Sequence, residues 1–399
     1  LTITDVGGWD YEVPNTAVQA LDDSETIVEV FTVEATDGQE QDITVTINGK
    51  DDLSVISVTS ASGSVTEDTA VTTSGHAKGA DKLVVSGTLG VTDADGDGAF
   101  NTAVTFTSST STGGSKLGNL TINGASGVWN YDVDNANSQV QALGTGDTIV
   151  EKFTVKTLDN NASNASEVIT VTIQGTNDQP TVTTISDKIW QPGTAYSFDT
   201  SSHFSDADGN ISSYTAQLVD SSDASLSSLP SWFNFDTTNG TLSGNAPDAA
   251  ASAGPYKVKI TATDDDSSPL SQSTTFDITV PTHYAAKVVD GPLAYAKAFV
   301  DRNDNSVWDA GENSVLTNAQ GSFDLFSSQT GDIVVTTDHQ TRDLSSGVVV
   351  SGLTLKAPTG ATVITPVTTL LSLLIDKGMS STDAKAALIA TLAVPDVIY

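Results

Sequence analysis

The chain has 399 residues, 38% of them hydrophobic, no cysteine, and a formal charge of −34 from 50 Asp plus Glu against 16 Lys plus Arg. That acidity argues against nucleic acid, which proteins hold through basic patches, and against direct adsorption to anionic lipid; without cysteine there are no disulfides and no thiol chemistry. The length suits roughly two to four domains, and no apolar run approaches the roughly 20 residues of a membrane span. Keeping so much like charge in a compact chain costs self-repulsion. The acids gather in Asp-x-Asp runs with Asn and Gly, as ligands of divalent cations would. No signal peptide opens the chain, and residue 1 falls inside a repeating unit, so it reads as a piece of something longer.

The repeat is visible from the first residues. Leu1-Thr2-Ile3 and Gly8-Trp9-Asp10-Tyr11 return as Leu120-Thr121-Ile122 and Gly127-Val128-Trp129-Asn130-Tyr131. Val18 to Leu21 returns as Val140 to Leu143, Thr26 to Val33 as Thr148 to Val155, and Ile43 to Gly49 as Ile169 to Gly175. The copies lie about 120 residues apart. Within each, β-branched and aromatic residues alternate with polar ones, the period of half-buried strands. Gly, Asn and Asp punctuate them, which predicts a sandwich of short strands.

These segments resemble the VCBS repeat of very large bacterial surface proteins. The resemblance rests on Gly-x-Trp-x-Tyr, Asn135 to Leu143, the Phe-Thr-Val strand, and Ile169 to Asp178 (Ile-Thr-Val-Thr-Ile-Gln-Gly-Thr-Asn-Asp). It makes residues 53–179 a complete repeat and residues 1–52 the C-terminal part of another. It implies cadherin-like sandwiches whose junction acids bind calcium. The matching positions are Asp51 and Asp52, Asn177 and Asp178, Glu67 and Asp68, and Asp93, Asp95 and Asp97. Physically, junction carboxylates repel one another unless a cation bridges them.

Residues 180–281 predict a different sandwich, with strands at 195–198, 211–219, 255–263 and 273–280. Phe204 to Gly209, Leu229 to Asp236, Gly240 to Gly244 and Gly254 to Asp264 resemble the dystroglycan-type cadherin-like, or immunoglobulin-like, domain. Asp206 and Asp208, with Asp264, Asp265 and Asp266, are expected to converge at one end of this sandwich as calcium ligands. Trp232 and Phe235 are expected in its core. In some RTX adhesins a related domain binds peptides through calcium.

Residues 282–399 carry the most explicit site. In the stretch Asp301 to Glu312, oxygen side chains stand at loop positions 1, 3, 5, 9 and 12: Asp301, Asn303, Asn305, Asp309 and Glu312. Val307 at position 7 offers its carbonyl, and Glu312 is the bidentate closer of a twelve-residue calcium loop. Position 6, normally Gly, is Ser306. The run 293–300 before it reads as one strand, not a helix, so the loop is expected between strands. Gly321-Ser322-Phe323-Asp324-Leu325 and Gly331 to Thr337 add strands; with the loop they resemble the B-type repeats of surface adhesins. Two more short strands are expected over 347–356. Thr365 caps a helix that Pro366 opens, and Gly378 suits its end. The expected helical hairpin runs over about 366–377 and 381–393.

Catalysis finds no support. His76, His203, His283 and His339 are scattered with no zinc-ligand spacing, and there is no nucleophile elbow or phosphate loop. The expected protein is mainly all-β: tandem cadherin/Ig-like β-sandwich modules, the last ending in a helical hairpin. The resemblances together imply a non-enzymatic, calcium-dependent segment of a secreted or bacterial cell-surface adhesin. It would be monomeric within its longer chain, binding a peptide or glycan on a host or neighbouring cell, with a role in biofilm formation. Two alternatives stay open: a pure spacer, and accessory modules of a secreted polysaccharide-degrading enzyme.

Overall fold

In the computed structural model, residues 1–71, 81–158, 164–252 and 254–392 are described; His76 and the last expected helical residue, 393, lie outside them. The chain divides into two compact units. The first holds Leu1–Gln179 with Asp206–Asn210 and Asp265–Leu270; the second holds Pro180–Ser205, Ile211–Asp264 and the chain from Ser271 onward.

The first unit begins with two hairpins, Thr2–Ile3 with Trp9–Asp10 and Thr26–Glu34 with Glu40–Asn48. A sandwich follows. One sheet has the order Asn119–Ile122, Val128–Asp134, Lys82–Thr92, Val55–Val58. The other runs Ser62–Thr66, Ser166–Gln174, Thr148–Leu158, Ala99–Phe100, with Thr105–Ser109 also on Thr148–Leu158. Alternation sets which side chains face inward: Ile149, Glu151, Phe153 and Val155 from one strand are all buried. They join Trp129, Tyr131, Leu83 and Phe100 in one core. Each large apolar side chain buried there contributes about 1.5–3 kcal/mol. Ser62–Thr66 and Ser166–Gln174, the outer strands in chain order of that sheet, pair in parallel.

In the second unit a five-stranded sheet has the order Lys188–Ile189, Ser271–Thr279, Tyr256–Asp264, Ile211–Val219, Ser225–Ser227. A three-stranded sheet, Ala195–Asp199, Thr241–Asn245, Phe233–Phe235, shares its core around Trp190, Leu242, Ile260 and Phe276. The expected anchors shift here. Phe233 is the buried ring, while Trp232 and Phe235 are half-buried and pack on the rim. The Phe233 amide donates to the Pro230 carbonyl, and the strand starts at Phe233. Trp232 therefore precedes the strand and stacks on Phe233 at 4.0 Å between centroids.

Further on, Thr282–Val288 pairs with Ser322–Ser327 and, in parallel, with Val363–Ile364. A four-stranded sheet has the order Ser314–Leu316, Lys297–Asp301, Asp332–Thr336, Thr354–Ala357. The single strand expected over 293–300 is broken. Leu293–Ala294 and Lys297–Asp301 are separate strands, because Tyr295 takes a left-handed φ of 61° and interrupts the ladder. Over 347–356 there is one strand, Thr354–Ala357, and a lone bridge from Val349 to Arg342. Helix α1 (Pro366–Asp376) starts with a capping box in which Thr365 and Thr368 satisfy each other's amides. Helix α2 (Ser381–Leu392) packs on it through Leu371, Ala384 and Leu388.

Candidate metal centres

Three groups of acidic side chains stand out, two in the first unit and one in the second. The first gathers around the turn that leaves the strand Lys82–Thr92. Gly98 keeps this turn tight, since a Cβ there would meet the Asp93 Cβ at 2.9 Å. The Asp95 amide donates to Asp93 (3.3 Å), the Asp52 amide to Asp95 (2.9 Å), the Ser54 hydroxyl to Asp93 (2.7 Å) and the Asp51 amide to Asp23 (2.9 Å). Oxygens of Asp51, Asp95 and Asp97 lie within 4.8 Å of one another. One buried oxygen each of Asp52 and Asp95 has no hydrogen-bond partner. Burial raises the Asp93 carboxyl; hydrogen bonds from Asp93 and then from the Asp52 amide hold Asp95 low. Hard carboxylate oxygens so close, with lone pairs turned inward, suit a cation that takes six to eight oxygens.

The second group forms where the strand Ser62–Thr66 ends. Glu67 is fully buried. One of its oxygens accepts the Thr176 amide at 2.7 Å, and the other has no partner. Asp178, Asp206 and Asp208 surround it, and the Asp178 amide donates to Asp208 at 3.1 Å. One further oxygen each of Asp178 and Asp208 is buried and unpartnered. Asp68, in a left-handed conformation, accepts the Asn135 amide at 2.6 Å and the Gln141 amide at 3.3 Å. Burial, reinforced by the charges of Asp178, Asp68 and Asp208, pushes Glu67 up to about 7. Burial and then Asp68 push Asp178 to about 6. A buried anion is costly unless it is paired or coordinates a metal, and among the described residues no Lys or Arg pairs with Glu67, Asp178 or Asp208.

The remaining polar residues named for this region make other contacts. The Asn177 side chain donates to the Ser268 carbonyl at 3.1 Å, and Asp266 accepts the Ser268 amide at 2.8 Å. Asp265 accepts the Asn210 amide at 3.0 Å. Asp264 lies buried at the end of the strand Tyr256–Asp264 in the second unit, where its carbonyl accepts the Ser212 hydroxyl at 2.6 Å.

The third group is the loop 301–312, flanked by the strands Lys297–Asp301 and Ser314–Leu316. Asp301 and Glu312 are buried. Asp301 accepts the amides of Asn305 (3.2 Å) and Ser306 (2.7 Å); Glu312 accepts those of Arg302 (3.1 Å) and Asp309 (3.0 Å). The Asn303 and Asn305 side chains donate to Asp309 at 2.7 and 2.8 Å, and these bonds hold the Asp309 carboxyl below its usual range. The loop thus closes on itself, with the Asp301 and Glu312 carboxylates turned to its own backbone amides. Half a turn of each asparagine amide would present oxygen in place of N–H to a cation. Ser306 has φ 58°, the left-handed conformation that explains Gly at this position in such loops. Val307 is exposed, and its amide donates to Asn305 at 2.7 Å.

Sequence reasoning missed a charged side chain beside this loop. Lys356 is buried in the strand Thr354–Ala357. Its ammonium group contacts Asp304 of the loop, Asp376 at the end of α1 (2.8 Å) and Asp332 (3.4 Å), which faces Asp301 in the ladder. A lysine among apolar neighbours reads as outward-facing; only the tertiary structure brings three distant aspartates to it.

No helix among the described residues is long and apolar enough to cross a membrane. Residues 179–281 match the family model described as "Putative Ig domain". Several cadherin ectodomains align with the chain at low identity and low TM-score. Protocadherin Gamma B2 extracellular cadherin domains 3-6 align at 13% identity and TM-score 0.32, covering 68% of this chain and 63% of that one. Mouse Cadherin-23 EC22-24 aligns at 16% identity and TM-score 0.32, covering 64% and 74%. Human Mucin-like Protocadherin EC1-2 aligns at 15% and 0.34, covering 57% and 98%. This chain spans less than two thirds of the first of these. A search of curated proteins finds no match. The sheets and cores make this a mostly β chain of successive sandwiches, Ig-like over residues 179–281, with two helices last among the described residues.

Proposed function

We propose that the chain is a calcium-stiffened, non-enzymatic segment of a secreted or cell-surface bacterial adhesin of the VCBS-repeat, RTX type. The observation that carries the reading is the Glu67 carboxylate: fully buried, one oxygen unpartnered, beside the unpartnered oxygens of Asp178 and Asp208. An all-oxygen, multiply anionic donor set fits a hard divalent cation and not a soft one. With calcium bound, mutual repulsion becomes shared attraction, and the turn Asp206–Gly209 is held against the strand ends near Glu67. The Asp51–Asp97 group and the loop 301–312 would work in the same way. In this reading residues 1–52, 53–179, 180–281 and 282–399 are successive modules. The acids are structural ligands, and residues 180–281 present the contact for a peptide or glycan on a host or neighbouring cell, as in biofilm formation.

The test compares the full chain in calcium and in chelator, with magnesium as a control. Calcium should raise the unfolding temperature and lengthen the particle in solution. Equal stability and equal hydrodynamic size in the two buffers would refute the calcium mechanism. An array of peptides and glycans probed in the same buffers tests the ligand: calcium-dependent hits are expected, and their absence would leave a spacer.

A further inference from the structure

The two copies of the internal repeat share a register but not a cover. Ile3 stands opposite Trp9 as Ile122 stands opposite Trp129, and Phe31 opposite Ile43 as Phe153 opposite Ile169. Yet Trp129 is 0% exposed and Trp9 50%. Leu120, Ile122 and Ile149 are buried, whereas Leu1, Ile3 and Ile27 are exposed. Tyr11, Phe31 and Val33 are only half-buried, against full burial of Tyr131, Phe153 and Val155.

The second copy is covered by its own preceding segment, and three of the contacts are chemically specific. The Trp129 indole N–H donates to the Ser60 carbonyl at 2.7 Å. The indole lies against two glycines: a Cβ at Gly63 would approach it to 3.0 Å and one at Gly87 to 2.4 Å. Glu151, besides the Tyr131 hydroxyl, accepts the consecutive amides of Leu117 and Gly118 at 2.7 and 3.0 Å. The first copy keeps its own half of this arrangement. Tyr11 bonds to Glu29 and lies 6.0 Å from Phe31 between ring centroids, Trp9 pairs with Ile3, and among the described residues neither a glycine strand nor an amide pair faces them.

We propose that the apolar face of residues 1–48 is a docking surface for a polypeptide with the chemistry of residues 53–118. The occupant supplies a strand whose glycine lies on the Trp9 indole, a carbonyl for the indole N–H, and two consecutive amides for Glu29. A second copy of the same face fits poorly. It would bring another carboxylate and another bulky indole, not donors and a glycine.

The experiment extends the full chain by a copy of residues 53–119 placed directly before Leu1, so that the join repeats the native step from residue 119 to residue 120. Quenching by acrylamide is read as the difference between each protein and its Trp9→Phe counterpart. The extended monomer should show a severalfold drop in Trp9 accessibility. The same extension with Gly→Val at the position copied from Gly87 should leave Trp9 accessible. The proposal is overturned if Trp9 stays accessible behind the native-sequence extension, whether that extension is folded or protease-sensitive. It is equally overturned if the valine variant protects Trp9 as well as the native extension does. Protection of Trp9 in the unextended chain by self-association would assign the face to a second copy instead.

Discussion

The Tyr131 hydroxyl donates to Glu151 at 2.7 Å, and neither residue reaches solvent. This carboxylate is as buried as Glu67, but it is saturated: two backbone amides and a phenol face it. The contrast separates an acid whose oxygens are all satisfied by the core from one that keeps a buried oxygen without a partner.

Tyr131→Phe removes one donor to a charged acceptor and is expected to cost about 1.5–3 kcal/mol. Glu151→Gln should cost more, because its NH2 group would face donors. Urea unfolding followed by near-ultraviolet dichroism measures both. A loss from either variant that depends on calcium would contradict the assignment.

Glu67→Gln should behave in the opposite sense under the two conditions. It removes a buried charge, so in chelator the unfolding temperature should rise. In calcium the same variant should lose most of the metal-induced gain. Paired thermal scans, with calorimetric titration of calcium, read both effects.

The metal-free first unit should also depend on pH in a defined direction. Glu67 and Asp178 sit at about 7 and about 6 when folded, above their usual carboxylate values. The folded state therefore binds protons that the unfolded state has released, and stability falls as pH rises. In chelator the contribution is complete below the unfolded values and is lost as pH climbs through about 6 to 7. Glu67→Gln should flatten this slope. Calcium should reverse its sense, since protons then compete with the ion.

Within the loop, Ser306→Gly should stabilise the second unit by about 1 kcal/mol, the usual relief when a left-handed position becomes glycine. Asp301→Ala or Glu312→Ala should destabilise residues 282–399 and leave the Tyr131 region unaffected. Hydrogen exchange resolved along the chain checks both halves of this expectation.

Lys356→Met leaves Asp304, Asp332 and Asp376 facing one another without their cation. Only the lysine is buried and the aspartates stay partly in water, so the expected cost is that of lost charged hydrogen bonds, about 1.5–3 kcal/mol. The loss should appear first as increased exchange in α1, because Asp376 is its last residue.

Much of the architecture was legible because strand alternation and the loop spacing are local. Thr148–Leu158 announces its inward face residue by residue, and the oxygens of 301–312 lie within a dozen positions. The meeting of Glu67 with Asp178 and Asp208 is not local. Each acid could be named from its turn, but only sheet pairing decides which turns share an end. The error at Trp232 and Phe235 has a simple source. Residues three apart cannot share a strand face, and the turn after Pro230 sets the phase in favour of Phe233. Lys356 was not legible at all, because its partners come from a loop, a strand and a helix.

The parallel pairing of Ser62–Thr66 with Ser166–Gln174 also determines how the first unit's sandwich meets a pulling force. Parallel neighbours at the two ends of a module send the chain in at one end and out at the other. Tension between those ends is then directed along the strands, and the evenly spaced hydrogen bonds between them share the load in shear and cannot be unzipped one at a time. Lys188–Ile189 beside Ser271–Thr279 is a second parallel pair between an early and a late strand, and Thr282–Val288 also pairs in parallel with Val363–Ile364 ahead of the helices. The order in which strands are laid into this sheet thus sets the sandwich of residues 55–174 to resist pulling in shear, whatever the acids at its turns are holding.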